Sequence, residues 1–254
     1  MLFTTTTFIG LDPGAGRQKV TYAALDNDLR PLALGTENLS DVLAFVAGQG
    51  QAFVGVSAPR QPNQGLMKDL NVRAGLQPQP RPGRWGGYRV AEYMLTQAGV
   101  RTTRTPANPE NCRGWQRTGF TLWQRLFSMG YTLYPATDSG KQVLEVYPQA
   151  CFCRWLGAPP FNKRTLEGRI QRQLALYDLE LDIPDPMRVF EEFTRHRLRQ
   201  GILPLEGLYT HNELDALTGA ATAWLAVAQP EAVELMGHPN EGEVVLPLTP
   251  SQPR

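Results

Sequence analysis

Three carboxylates interrupt apolar stretches of the chain, where a folded core would normally exclude charge. Asp12 ends the apolar run FIGL, and Glu145 lies inside VLEVY, on the opposite strand face from its two apolar neighbours. Asp215 falls in the first turn of a predicted helix that is rich in small residues, within THNELDALTGAATAWLA. Because a buried acid is costly without a partner, these positions are the first candidates for chemistry.

Convergence of the three acids would create a metal site. Like charges raise one another's pKa, and Mg²⁺ or Mn²⁺, which prefer carboxylate oxygens, would remove that repulsion. Two such ions about 4 Å apart can activate water and stabilise the leaving oxygen of a phosphodiester. The sequence therefore predicts Asp12, Glu145 and Asp215 as a metal cage for Mg²⁺ or Mn²⁺.

Each acid also has a structural interpretation. Asp12 can start a turn before Pro-Gly, and Asp215 can be favoured by the dipole of its helix. Glu145 is the hardest to explain without a metal, unless it pairs with an arginine.

Other catalytic motifs are missing from the sequence. The stretch GLDPGAGRQK has neither the P-loop spacing nor the dinucleotide-binding spacing, and a strand rather than a helix follows it. The three histidines form no zinc motif, and no Gly-x-Ser-x-Gly elbow is present. Ser57 follows a strand in VGVSAPR, but no histidine is placed by sequence to activate it.

Positive charge is concentrated between residues 73 and 125. This segment has nine arginines against Glu92 and Glu110, although the whole chain has a net charge of only +1. Arginine forks match phosphate geometry, and six tryptophan, tyrosine and phenylalanine residues interleave with the cations. The pattern fits either a nucleic-acid surface or a solvated face with half-buried aromatics.

Composition predicts a globular protein of the cytoplasm. The 254 residues are 42% hydrophobic and 19% charged, which is ordinary for such a protein. No run of 18 apolar residues suggests a membrane span, and the start MLFTTTTFIG lacks the basic region of a signal peptide. Three cysteines without zinc spacing are typical of reduced thiols in the cytosol.

Periodicity predicts one α/β domain over residues 1–254, with a mixed sheet. Residues from about 61 to 130 form an insertion, whose proline-rich part, 61–84, is predicted as a loop. Strands are predicted at 8–11, 20–25, 31–36, 53–56, 143–147 and, at an edge, 243–246. Helices are predicted at 41–47, 88–97, 120–129, 148–156, 165–179, 186–200 and 212–227.

Several stretches together carry a resemblance to known proteins. GLDPG and HNELDALTGAATA are similar to segments of Holliday-junction resolvases in the ribonuclease-H-like superfamily. More closely, the chain resembles an uncharacterised prokaryotic family of predicted nucleases with a ribonuclease-H-like fold. The matching stretches span most of the chain in order: FIGLDPG, VGVSAP, LEVYPQACFCRWLG, KRTLEGRIQRQ and NELDALTGAATAW.

The resemblance implies a five-stranded mixed sheet, an antiparallel meander of its first three strands, and helices on both faces. It also implies metal ligation by Asp12, Glu145 and Asp215. One departure concerns Ser57, because the family often has Asp-Ala-Pro where this chain has Ser-Ala-Pro. A hydroxyl is a poor hard-cation ligand, and Ser57 is assigned to substrate binding instead. Lys163 and Arg169 from KRTLEGRIQRQ are also assigned to substrate binding, through a phosphate. The alternatives are that they form a solvated face, or that Arg169 neutralises Glu145.

Three functions follow as expectations. The first is a metal-dependent nuclease that hydrolyses phosphodiesters, with nucleic acid as its partner. The second is a non-catalytic ribonuclease-H-like module that binds nucleic acid or protein, favoured by Ser57 and by the near-neutral net charge. The third is a small-molecule phosphotransferase, for which the chain is short.

Overall fold

The protein is described from a computed structural model, which covers residues 6–15, 19–81 and 83–249. The start of the chain, Gly16 and Pro82, to which some sequence expectations applied, lie outside the described residues. Among the described residues, no helix is long and apolar enough to cross a bilayer.

An eight-stranded mixed sheet forms the centre of the described fold. Its strands are β1 (Thr6–Asp12), β2 (Lys19–Leu25), β3 (Pro31–Asn38), β4 (Gln51–Val56), β5 (Thr132–Leu133), β6 (Lys141–Val146), β7 (Val233–His238) and β8 (Gly242–Pro247). The helices are α1 (Leu39–Ala47), α2 (Leu70–Ala74), α3 (Val90–Gln97), α4 (Gly114–Ser128), α5 (Pro148–Leu156), α6 (Leu166–Tyr177), α7 (Arg188–Glu191), α8 (Arg195–Arg199) and α9 (His211–Ala228).

The strand order is β3-β2-β1-β4-β6-β8-β7, and β5 pairs with the first part of β6. The first three strands form the predicted antiparallel meander. Strands β1, β4, β6 and β8 then run parallel to one another, and β7 returns antiparallel to β8. Parallel strands end at a common edge of the sheet, so the carboxyl ends of β1 and β4 lie side by side.

Helices cover both faces of the sheet and give the fold two main apolar clusters. On one face, Phe8 of β1 packs with apolar side chains of α5 and α9. On the other face, Ile9 and Leu11 pack with side chains of α1 and α4. This alternation along β1 fixes which side chains point toward α9 and which point away from it.

The sequence prediction was wrong in three parts of the fold. The sheet has eight strands rather than five, because β5 has only two residues and β7 contains Gly237 and polar residues that obscure its pattern. Residues 243–246 are not an edge strand, since β8 pairs with both β6 and β7. The helix predicted at 186–200 is interrupted because Thr194 is extended and caps α8, accepting a hydrogen bond from Arg197 N at 3.2 Å.

Candidate functional site

Asp12 and Ser57 lie at the carboxyl ends of the neighbouring strands β1 and β4. Ser57 N donates to the carbonyl of Leu11 at 2.9 Å, which extends the pairing of β1 and β4 by one residue. Since Leu11 points toward α1 and α4, alternation directs Asp12 to the opposite face, which α9 covers. The same argument places Ser57 on that face, because Val56 packs in the cluster with Leu11.

Both side chains have a buried oxygen that lacks a partner. Asp12 is only 6% exposed, and its Oδ1 accepts a hydrogen bond from Gly14 N at 3.2 Å. Asp12 Oδ2 and Ser57 Oγ are buried and have no hydrogen-bond partner among the described residues. Buried polar atoms are normally paired, so the two orphaned oxygens mark a place where the protein's own contacts are incomplete.

Helix α9 brings Asp215 to this place. The helix begins with a capping box, in which Thr210 N donates to Glu213 Oε2 at 2.7 Å and Glu213 N donates to Thr210 Oγ1 at 3.3 Å. Glu213 therefore has a structural role at the start of the helix. Asp215 lies one turn into the helix and is 5% exposed.

Small residues let α9 lie directly on the sheet backbone. A Cβ atom on Gly10 would be 1.8 Å from the carbonyl oxygen of Ala216, and one on Gly55 would be 2.4 Å from the carbonyl oxygen of Gly219. No larger residue fits between the helix and these strands. The close approach places the first turn of α9 over the ends of β1 and β4.

Lys163 provides positive charge beside the two aspartates. It lies in the turn before α6, and its Nζ donates to Asp215 Oδ2. Burial and, to a smaller extent, the negative charge of Asp215 raise the pKa of Asp12 from its ordinary value of 3.8 to about 7. Lys163 and the amide of Gly14 act in the opposite direction and lower the pKa of Asp12.

Glu145 does not join this group. Strand register links Leu11 to Val56 and Val56 to Glu145, and residues linked in this way point to the same face. Glu145 thus shares the face of Leu11, whereas Asp12, the next residue, points to the other face. Among the described residues, no group of three or more His, Cys, Asp or Glu side chains is arranged to hold a metal ion.

Glu145 is instead part of a buried ion pair with Arg89. The guanidinium donates to both carboxylate oxygens, at 2.7 and 2.8 Å, and Arg60 N donates to Oε2 at 3.1 Å. Arg89 is 2% exposed and also donates to the carbonyl of Glu241 at 3.2 Å. This pair connects the start of α3 to the end of β6. It corresponds to the structural interpretation of Glu145, in which the acid pairs with an arginine.

Arg169 also lies away from the expected substrate position. Its Nε donates to the carbonyl of Tyr209 at 2.7 Å and its Nη2 to that of Leu208 at 2.6 Å. Arg169 therefore connects α6 to the segment before α9. The predicted substrate set is divided: Ser57 and Lys163 lie with the aspartates, and Arg169 does not.

A cleft of about 1470 Å³ opens from the two aspartates. Asp12 and Asp215 are the only carboxylates among its described lining residues, whereas its cations are Lys68, Arg101, Arg104, Arg113, Lys163, Arg164 and Arg172. Tyr88, Trp115 and Tyr147 add aromatic surface, and the guanidinium of Arg104 lies 5.4 Å from the centre of the Tyr88 ring. The cleft therefore combines a buried acidic end with a cationic and aromatic wall.

Sequence reasoning found part of this wall. The arginine excess between residues 73 and 125 includes Arg101, Arg104 and Arg113, which all line the cleft. It missed Arg164, which adjoins Lys163, and the partnership of Arg89 with Glu145. The sequence indicated only that Glu145, an acid in a core strand, could pair with an arginine. It did not indicate which arginine, because Arg89 and Glu145 are 56 residues apart along the chain.

The fold and site together define an α/β protein with a mixed sheet and two buried aspartates at the end of a cationic cleft. Residues 23–241 match the family described as "Protein of unknown function (DUF429)", and the chain belongs to this family. The match includes Asp215 and begins after Asp12. Searches among curated proteins and among solved structures gave no match to the chain.

Proposed function

We propose that the protein is a metal-dependent hydrolase of phosphodiester bonds in nucleic acid, built on a ribonuclease-H-like fold. The observation that carries this proposal is the orphaned, buried Oδ2 of Asp12 beside Asp215, at the acidic end of a cationic cleft. The meander of β1 to β3, with an acid at the end of β1 and another on the last long helix, supports the proposed fold class.

The donor set fits a hard divalent cation. Among the described residues, Asp12 Oδ2 is an acceptor without a donor, and Asp215 supplies a second carboxylate to the same cleft. A cation there would offset the burial and mutual repulsion that raise the pKa of Asp12. Asp12 and Asp215 would hold the ion, and Glu145 is left out of the ligand set because Arg89 already neutralises it. When bound, Mg²⁺ or Mn²⁺ supplies an activated water and stabilises negative charge on the phosphate.

The wall of the cleft supports a polyanionic substrate. Arg101, Arg104, Arg113 and Arg164 can bind successive phosphates, and their guanidinium forks match phosphate oxygens. Trp115 is half-buried and offers a face on which a base can stack. The chain thus positions the polymer through charge and stacking, and Asp12 and Asp215 define where the phosphodiester is cut.

Manganese binding and cleavage test the proposal together. We expect isothermal titration calorimetry to detect Mn²⁺ binding by the wild type and its loss in Asp12→Asn. Labelled single-stranded and duplex DNA and RNA should be cut by the wild type in Mn²⁺, and not in excess chelator or by Asp12→Asn. Asp41→Asn is the matched control, because Asp41 is exposed on α1. Normal Mn²⁺ binding by Asp12→Asn would refute the site.

The ion pairs of Glu145 and Asp215 favour a second function. Glu145 is neutralised by Arg89 and Asp215 by Lys163, so two of the three predicted acids are charge-compensated without a metal. On this alternative, the protein is a non-catalytic module that binds nucleic acid through the same cleft. Oligonucleotide affinity that persists in chelator, with no cleavage in Mn²⁺, Mg²⁺ or Co²⁺, would favour the module over the enzyme.

A further inference from the structure

The ammonium of Lys163 lies beside the carboxylates that would hold the proposed metal ion. It contacts Asp215 Oδ2 and lies close enough to Asp12 to lower the pKa of that carboxyl. In the metal-free protein, the single positive charge of Lys163 therefore acts on both buried aspartates. A divalent cation between the aspartates would compete with this ammonium for Asp215 and repel it.

The backbone at Lys163 is held firmly. The carbonyl of Asn162 accepts hydrogen bonds from Thr165 N at 3.0 Å and from Thr165 Oγ1 at 2.9 Å, while Asn162 Oδ1 accepts one from Arg164 N at 3.1 Å. A Cβ on Gly168 would come within 1.9 Å of the same Asn162 carbonyl, so α6 packs against this turn without space to spare. The turn thus fixes the position from which the Lys163 side chain extends.

The two ends of the ion pair differ in their freedom to move. The side chain of Lys163 is 40% exposed, whereas that of Asp215 is 8% exposed. A lysine side chain has four rotatable bonds and a strongly hydrated charge, and a part-exposed ion pair contributes little free energy. Movement of Lys163 away from Asp215 therefore costs little free energy for the lysine, whereas the buried carboxylate then requires another cation.

The released ammonium would enter the cleft itself. Lys163 and its neighbours Asn162 and Arg164 all line the cleft, and Asp12 and Asp215 are its only described acidic lining residues. Once a metal ion neutralises those two acids, the nearest anion available to Lys163 is a phosphate of the bound polymer. Metal binding and substrate binding are coupled through this one side chain.

We infer that Lys163 is an internal counter-ion, which a divalent metal ion displaces from Asp215 and which then binds a phosphate of the substrate. This inference rests on the proposed function and adds to it a regulatory step at the same site. It explains how two buried acids remain compatible with folding before the metal ion arrives.

Mn²⁺ titration of Lys163→Met tests the displacement. We expect calorimetry to show Mn²⁺ binding about fivefold tighter than in the wild type, which corresponds to the upper range for a part-exposed ion pair. Lys163→Arg retains the positive charge and should bind Mn²⁺ within twofold of the wild type. Lys68→Met removes a different cleft lysine and controls for general loss of charge, with no change expected beyond twofold. Circular dichroism and thermal midpoints establish that the variants are folded.

Oligonucleotide binding tests the second half of the inference. In Ca²⁺, a fluorescein-labelled single-stranded oligonucleotide should bind the wild type severalfold more tightly than in chelator, by fluorescence anisotropy. Lys163→Met should lose most of this metal-dependent gain, and Lys68→Met should retain it.

The outcomes separate the inference from the function on which it rests. Equal or weaker Mn²⁺ binding by Lys163→Met, with binding still lost in Asp12→Asn, would overturn the counter-ion role and leave the metal site intact. Absence of Mn²⁺ binding in both the wild type and Lys163→Met would overturn the metal site and the counter-ion role together. An unchanged metal-dependent gain in Lys163→Met would refute the transfer to phosphate.

Discussion

Asp12→Asn should stabilise the metal-free protein by an amount that grows as the pH rises from 3.8 to about 7. The substitution is nearly isosteric: Asn Oδ1 can accept the hydrogen bond from Gly14, and its Nδ2 replaces the oxygen that has no partner within the described part of the chain. Charge is therefore the main change. Burial and Asp215 raise the pKa of Asp12 from 3.8 to about 7, so the folded protein holds a proton that the unfolded chain releases.

The magnitude follows from linkage. Between the two pKa values the folded state binds more protons, so the wild type loses stability as pH rises, by about 1.4 kcal/mol per pH unit, and the loss stops above the folded pKa. From pH 5 to pH 8 this amounts to about 3 kcal/mol. Asp12→Asn lacks this loss, so its stability advantage over the wild type should grow by that amount across the same interval.

Urea unfolding in chelator, at half-unit steps of pH, measures this difference. Glu92, whose pKa burial raises to about 7, titrates in the same range but in both proteins, so subtraction removes it. Asp41→Asn, the same change of side chain at an exposed position of α1, is the matched control. A difference between Asp12→Asn and the wild type that is flat with pH, or that favours the wild type at pH 8, would refute the assignment of Asp12 as a buried acid without a sufficient partner.

Two further substitutions test the fold that positions the site. Arg89→Met leaves its buried carboxylate partner uncompensated and should lower the free energy of unfolding by about 3–5 kcal/mol. The control Arg154→Met breaks a part-exposed pair and should lower it by at most about 1 kcal/mol. Equal losses in urea titrations would contradict the burial argument. Gly10→Ala places a Cβ 1.8 Å from a carbonyl oxygen of α9 and should abolish soluble expression or cooperative melting. In the control Gly50→Ala no described atom lies within 4 Å of the new Cβ, so this variant should melt like the wild type. Normal melting of Gly10→Ala would show that α9 does not lie this close to β1.

Much of the central fold could be predicted because its signals are local. The meander was predicted from short apolar runs separated by turn residues, and the structure confirms all three strands. Pro148 at the first turn of α5 and the capping box at the start of α9 fix two helix starts within a few residues. Strands β5 and β7 could not be predicted in the same way, since pairing with distant partners rather than their own sequence makes them strands.

The candidate site was predicted less completely, because it depends on register. Asp12, Ser57, Lys163 and Asp215 were named from the sequence, and the structure brings them to one cleft. Glu145 was named with them because it also interrupts an apolar strand. Whether two acids on different strands share a face depends on how those strands align, and no local pattern reveals that alignment.

Asp12 and Glu145 look alike in sequence, and their hydrogen-bond partners distinguish them in the structure. Both are about 5% exposed, so each would be costly if left alone. Glu145 receives two guanidinium hydrogen bonds and one from a backbone amide, which satisfies its charge within the protein. From the residues that the structure describes, Asp12 receives one amide hydrogen bond, lies near a second acid, and keeps one oxygen without a partner. The hydrogen bonds and the ion pair of Glu145 explain that acid without a ligand. Asp12 Oδ2 has no partner among the described residues, which supports a bound cation, so the proposed function depends on Asp12 rather than on Glu145.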